Sequence, residues 1–334
     1  MLTSSLHELV VAESSGKGVR CSEVEPRSHA SAAAEVLRAA WAPPCLLYSD
    51  PYVKWQLTFP GSVHARAVMA TDGARAVGFV AVVPRSIWMR DRVAAVYVLS
   101  FFAVHPDYRG AGVGVSMARH LLTICDRAVL TYTEVNSASE RALAASAFSR
   151  GWTFKRIAEL RTYGFAGSRD DQDVSAPARQ ANVEEFLAAL DGCTSATVAW
   201  SRPTAEQVAH YVADPRGSCL AIVQGPDNHT LGGALIVRSQ VITAHGVERV
   251  PSLDSVCLHQ QPAPTLAALA AFARHHWPAD AASVVTAPNL HTVPPDAIRR
   301  AGFRATRSTF NLAVMGDESD PIVRQTTTTN LEVF

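Results

Sequence analysis

The chain has 334 residues, 48% of them hydrophobic, and its 30 Lys plus Arg balance 30 Asp plus Glu. A length beyond the roughly 100–200 residues of one domain points to two cores. The absence of net charge removes the global field that would draw the chain to nucleic acid or an anionic membrane, so neither is expected as a partner.

Residues 1–17 lack periodicity and are expected as a loose arm. A short strand is predicted over 19–24 and an alanine-rich helix over 29–41, with Val36, Leu37, Ala40 and Trp41 on one side. Pro43-Pro44 ends that helix. Ser49 or Asp50 caps a second one, with Pro51 at its first position, and it carries Tyr52, Val53, Trp55 and Leu57. Residues 64–70 and 76–83 flank Asp72-Gly73 as a hairpin, and 84–92 is expected as a connection. Residues 97–104, rich in Val, Leu and Phe, read as a buried strand. His105 to Gly110 stops it, and Gly110, Gly112 and Gly114 precede a run of helix formers. A strand over 128–135, a helix over 138–148 ended at Gly151, and closing strands within 152–165 complete this half.

The glycine-rich turn is the most informative stretch. Glycines at a helix start remove side chains where the backbone approaches a ligand, and the free N–H groups of the first turn, aided by the helix dipole, form a diphosphate site. GxxxxGK[ST] is absent, and GxGxxG fails because residue 115 is Val, so neither a P-loop nor a dinucleotide turn is present. Arg109-Gly110-Ala111-Gly112-Val113-Gly114, led in by Val104-His105-Pro106-Asp107-Tyr108, instead resembles the [RQ]xxGx[GA] turn of the GNAT acyltransferase superfamily. The other reading is an ordinary glycine-rich loop.

The resemblance spans residues 19 to about 166 and implies an α/β (α+β) fold: a mixed, mainly antiparallel sheet flanked by helices, with two neighbouring parallel strands, 97–104 and 129–135, splayed apart. It further implies acetyl-CoA or another acyl-CoA, its pyrophosphate held by Arg109, Gly110, Ala111, Gly112, Val113 and Gly114. The pantetheine arm would fill the gap between the splayed strands, beside Phe102, Ala103, Val104 and Asn136. The two-helix region borders the acceptor in this family, so Tyr52 and Trp55 are candidate substrate residues, or simply core aromatics.

The polar stretch 167–180 reads as a linker. After it the element order returns: a helix over 206–212, strands at 220–224, 233–237 and 249–258, a helix over 266–277, a strand at 283–287, a short helix over 295–300 and a last strand at 309–315. Arg150-Gly151-Trp152 and Ala301-Gly302-Phe303 close the two halves alike. We therefore expect two tandem GNAT-like domains, 18–166 and 181–316, with a tail at 317–334. Where the second phosphate turn belongs stands His259-Gln260-Gln261-Pro262-Ala263-Pro264-Thr265, in which two prolines lack N–H donors. One acyl-CoA per chain is expected.

Acyl transfer from a thioester to an amine needs a neutral amine, a stabilised oxyanion and, optionally, an acid for the thiolate. The tyrosine and the carboxylate that often serve the family correspond here to Ala147 and Val98, so other groups are required. Tyr132 and Glu134 share one face of their strand, Ser100 lies near the expected thioester path, and Asp254 interrupts an apolar strand of the second half, where a carboxylate is costly unless used. These four are the catalytic candidates. The six cysteines, Cys21, Cys45, Cys125, Cys193, Cys219 and Cys257, show no zinc spacing, and no metal is expected. Free thiols and the lack of any apolar run near 18 residues lead us to expect a cytoplasmic monomer or homodimer. The expected function is acyl-CoA-dependent N-acylation of a small-molecule amine. The alternatives are a non-catalytic acyl-CoA-binding module and a tRNA-dependent Fem-type aminoacyltransferase.

Overall fold

The computed structural model of the protein describes residues 18–61, 64–89, 92–165, 177–193, 199–201, 203–278, 280, 284–286, 293–325 and 331–332. The expected N-terminal arm and residues 167–176 of the expected linker lie outside them.

The first half runs β1 (Val19–Val24), α1 (Ala30–Ala40), the two-residue β2 (Cys45–Leu46), α2 (Asp50–Leu57), β3 (Arg66–Asp72), β4 (Arg75–Met89), β5 (Arg92–Val104), α3 (Val113–Ile124), β6 (Val129–Glu134), α4 (Ala138–Ser149) and β7 (Thr153–Phe165). Gly73 takes a left-handed φ of 57° in the β3–β4 turn, a conformation an L side chain resists. The expected connection at 84–92 is instead strand over 84–89 and at 92: β4 and β5 pair as one long ribbon from Gly78↔Val104 to Met89↔Arg92. Pro84 is tolerated because the pairing of β4 with β3 stops at Val82 and, among the described residues, the next neighbour on that edge begins only at Ile87.

The second half runs β8 (Ala178–Ala181), α5 (Val183–Cys193), β9 (Ala199–Ser201), α6 (Ala205–Val212), β10 (Ser218–Gln224), β11 (Thr230–Thr243), β12 (Gly246–Leu258), α7 (Pro262–His276), β13 (Val284–Thr286), α8 (Pro295–Arg300) and β14 (Phe303–Gly316). The residues of the expected tail add α9 (Pro321–Gln325) and β15 (Leu331–Glu332). Ile322 and Val323 of α9 pack on Ile87, Val96, Leu130 and Leu312.

One sheet carries both halves, in the order β1-β3-β4-β5-β6-β14-β7-β13-β12-β11-β10-β8. Its centre shows a reciprocal exchange. β14, the closing strand of the second half, lies between β6 and β7, while β7 of the first half pairs with β13 of the second. Smaller exchanges repeat the pattern: β2 joins the distal part of β11, and β9 joins the distal part of β4. Helices α2 and α6 are both eight residues long and meet through Trp55 and His210, the sixth residue of each. Trp55 Nε1–H donates to the His210 carbonyl at 2.8 Å, His210 Nε2 lies 3.0 Å from the Trp55 carbonyl, and the rings stack at 5.0 Å.

Candidate active site

The glycine turn leads from β5 through one 3-10 turn, Pro106–Tyr108, into α3. The Arg109 N–H ends on the Pro106 carbonyl at 3.1 Å, but among the described residues the N–H groups of Gly110, Ala111, Gly112, Val113, Gly114 and Val115 meet no acceptor. Gly110 and Gly112 both stand at φ 78°, and a Cβ on either would touch nothing within 4 Å. The donors therefore open outward, the arrangement an anion needs. Gly114 is the close-approach position: a Cβ there would lie 3.6 Å from the side chains of Phe102 and Val104. The Arg109 guanidinium reaches back, bonding the carbonyls of Val104 and Ala40. That side chain staples the turn to β5 and α1.

Next to the turn, β5 and β6 separate. They pair in parallel only at Tyr97↔Val129 and Val98↔Leu130. A bulge follows on β5, where Ala81 and Val82 face Phe101 and Leu99, leaving Ser100 as the extra residue. His105 N–H bonds the Val77 carbonyl at 2.8 Å, which fixes the alternation: Phe102 and Val104 turn their main-chain groups away from β4 and into the gap. Across it, Val135 N–H bonds the Thr309 carbonyl of β14, so Tyr132 turns its main chain toward the gap by the same rule. The residues present suit an elongated donor with an anionic end.

The second half repeats the geometry without the anion site. Among the described residues β12 and β13 pair in parallel at Ser252↔Val285 and Leu253↔Thr286, a bulge follows on β12, and Ser255 within it takes a φ of 44°. Helix α7 then opens on Pro262 with Pro264 in its first turn, which removes two donors from that turn. The His259 ring occupies the approach, with Nε2 2.8 Å from the Ala189 carbonyl.

On the sheet face away from α3 the halves meet at a polar and aromatic cluster. Asp254 is the last paired residue before the β12 bulge, as Leu99 is before that of β5. It pairs across with Leu235, whose side chain packs with α5 and α6. Burial pushes the Asp254 carboxyl above the usual carboxylate range, while the Ser255 N–H, Arg216 and Arg85 pull it back. Arg216 clamps buried Asp214, with Nη2–Oδ2 at 2.6 Å and Nε–Oδ1 at 3.0 Å, and its guanidinium lies 3.8 Å from the centre of the Tyr52 ring. Arg85, 8% exposed, lies 3.4 Å over Phe59 and donates to the Pro84 carbonyl. Burial first, with the Asp254 charge adding to it, raises the phenols of Tyr52, Tyr132 and Tyr211, so all three remain protonated donors near neutral pH.

Of the residues singled out by sequence, Tyr52 and Tyr132 thus both fall within electrostatic reach of Asp254. Trp55 borders the cluster but its ring is committed to His210. Ser100 accepts from Gln56 Nε2 at 3.4 Å. Glu134 is exposed at the end of β6. Asn136 takes a φ of 59°, and its N–H and carbonyl bond Glu140 and Arg141. Sequence reasoning passed over Arg85, Asp214, Arg216 and Tyr211. Asp214-Pro215-Arg216-Gly217 reads as a turn, and the one signal available was an Asp two residues before an Arg. Among the described residues no group of three or more His, Cys, Asp or Glu side chains could hold a metal, and no helix is long and apolar enough to cross a membrane.

Residues 32–148 match the family model described as Acetyltransferase (GNAT) family. No curated protein matches the sequence. Among solved structures, Saccharomyces cerevisiae N-myristoyltransferase with bound myristoyl-CoA is similar at a TM-score of 0.67 and 10% identity, covering 94% of this chain and 85% of that one. A putative acetyltransferase from Pyrococcus horikoshii is similar at 0.56 and 13%, with 94% of each chain covered. A GCN5-related N-acetyltransferase from Sphaerobacter thermophilus gives 0.51 and 17%, over 89% of this chain and 95% of that one. The family match lies within the first half of the chain. At these identities the likeness of the whole chain is one of fold, that of two tandem GNAT-like domains.

Proposed function

We propose that the protein is an acyl-CoA-dependent N-acyltransferase that binds one acyl-CoA, in its first half, and an amine acceptor against the second. The observation that carries this reading is the run of unpartnered N–H groups from Gly110 to Val115 opening beside the β5–β6 gap. The linked phosphates sit on those donors, and the Phe102 and Val104 main chains border the arm. Support for an acyl-CoA donor also comes from the N-myristoyltransferase likeness, whose structure holds myristoyl-CoA.

Transfer is direct. The amine nitrogen attacks the thioester carbonyl, the C–N bond forms, the C–S bond breaks, and the sulfur leaves as the CoA thiol once protonated. Asp254 takes the proton from the attacking amine, since a carboxyl raised by burial is a stronger base at neutral pH. Tyr132, held protonated, donates a hydrogen bond to the developing oxyanion or the departing sulfur. Tyr52 and Arg216 form the acceptor wall. A small-molecule amine suits this cleft, in which two buried guanidiniums and two aspartates accompany the aromatic rings.

Thiol release measured against a panel of amines with acetyl-, malonyl- and octanoyl-CoA tests the reading, with mass spectrometry of the product to locate the new acyl group. Amine-dependent thiol release is expected. Stabilisation of the protein by CoA without release for any amine would instead support a non-catalytic binding module.

A further inference from the structure

Among the described residues, two buried side-chain polar atoms of the first half have no hydrogen-bond partner. Thr131 Oγ1 and Thr133 Oγ1 are buried and make no hydrogen bond, in residues 0% and 5% exposed. A buried hydroxyl left unbonded costs about 1–3 kcal/mol. Two of them on one short strand are more than packing accounts for.

Their placement says what they face. Both lie on the β6 face that carries Val129, which packs with Met117 and Leu121 of α3 and with Leu143 and Ala147 of α4. Phe102 and Val104 pack on that same cluster, and Gly114 abuts them at the mouth of the anion site. Past Leu130, β6 has no β5 partner. The hydroxyls therefore border the gap on the side from which the phosphate site opens, whereas Tyr132 points to the acceptor side. The neighbouring polar groups do not compete for them: Glu140 is already bound to the Asn136 N–H, Arg156 and Asn311.

Residues two apart on a strand place their side chains about 7 Å apart, and each hydroxyl both donates and accepts. A guest able to satisfy both is an extended chain with two amides, tethered at one end to phosphate. We propose that the Thr131 and Thr133 side chains hydrogen-bond the amides of the pantetheine arm, making β6 the side-chain reader of the acyl donor. This rests on the acyl-CoA reading above.

The double variant Thr131→Val plus Thr133→Val keeps the shape and removes both hydroxyls. Calorimetric titration of the full chain with CoA and with adenosine 3′,5′-bisphosphate, which carries phosphates but no amide arm, separates the two contacts. The variant should lose at least tenfold in CoA affinity and keep its affinity for the bisphosphate, with an unliganded melting temperature equal to or above wild type. The variant Thr131→Ser plus Thr133→Ser should recover most of the loss. Unchanged CoA affinity in the valine variant overturns the proposal. So does a parallel loss for both ligands with a lower melting temperature, which would mark the threonines as structural. A wild-type chain that binds neither ligand overturns the acyl-CoA reading itself.

Discussion

The two halves share a plan and divide the work. Each has a central strand that pairs in parallel with its neighbour at two described residue pairs and then bulges. In the first half the helix that follows opens on glycines and presents bare N–H groups; in the second it opens on prolines. Before the bulge the assignment reverses: the first half has apolar Leu99 and the second has Asp254. Under the proposed function, the donor site and the proton acceptor stand on opposite copies of one scaffold, and each needs the other.

The largest test of this division is stoichiometry. Titration with CoA should give one molecule per chain, and Gly112→Asp with Gly114→Asp should abolish binding and the accompanying thermal shift. At Gly112 the left-handed φ disfavours any side chain, and both carboxylates repel the phosphates. Two molecules per chain would refute the asymmetry.

Next is the carboxylate. Asp254→Asn should lower kcat/KM by about 10²–10⁴-fold, the usual contribution of a general base. The acid limb of the wild-type kcat/KM profile should lie above the ordinary Asp range, because burial raises the folded pKa. A group with a raised folded pKa contributes stability below its unfolded pKa, and that contribution is lost as pH rises through the folded value. At neutral pH the ionised side chain is therefore a cost, and the variant should melt no lower than wild type.

A smaller effect concerns the seam between halves. Burial lowers the His210 pKa from the model-compound value of 6.5, so its contribution is present above about 6.5 and declines as pH falls toward the folded value. Melting followed across pH 5–8 should show this decline, and His210→Gln should flatten it. Trp55→Phe, which removes the donor to the His210 carbonyl, should cost about 1 kcal/mol.

The smallest test compares the caps of the paired helices. Thr204 and Gln207 cap α6 reciprocally, at 3.2 and 3.0 Å, whereas Ser49 caps α2 through one 3.4 Å contact. Thr204→Ala should cost about 1 kcal/mol in urea unfolding and Ser49→Ala less. Equal costs would undo the distinction.

Local physics made the donor half readable. The glycine turn, its lead-in strand and the following helix follow from residues adjacent in sequence, and so did the loss of donors at Pro262 and Pro264. Helix α5 escaped the sequence reading although Asn182 and Glu185 form a reciprocal cap, each accepting the other's N–H at 2.9 Å. The strand exchange was not legible, because no local pattern says that β14 will enter between β6 and β7. Half of the acceptor cluster was hidden for the same reason: Asp254 stands out as a charge in an apolar strand, but Arg216 gains meaning only when Tyr52 lies beneath it.

The placement of β14 also bears on synthesis. As the chain leaves the ribosome, the glycine turn proposed to hold the phosphates is complete by Val115, yet the sheet beside it lacks an interior strand until Gly316 has been made. β6 must therefore wait with an open edge during translation of the whole second half. Stalled or shortened products ending before β14 should engage chaperones or aggregate rather than persist as a free-standing CoA-binding domain.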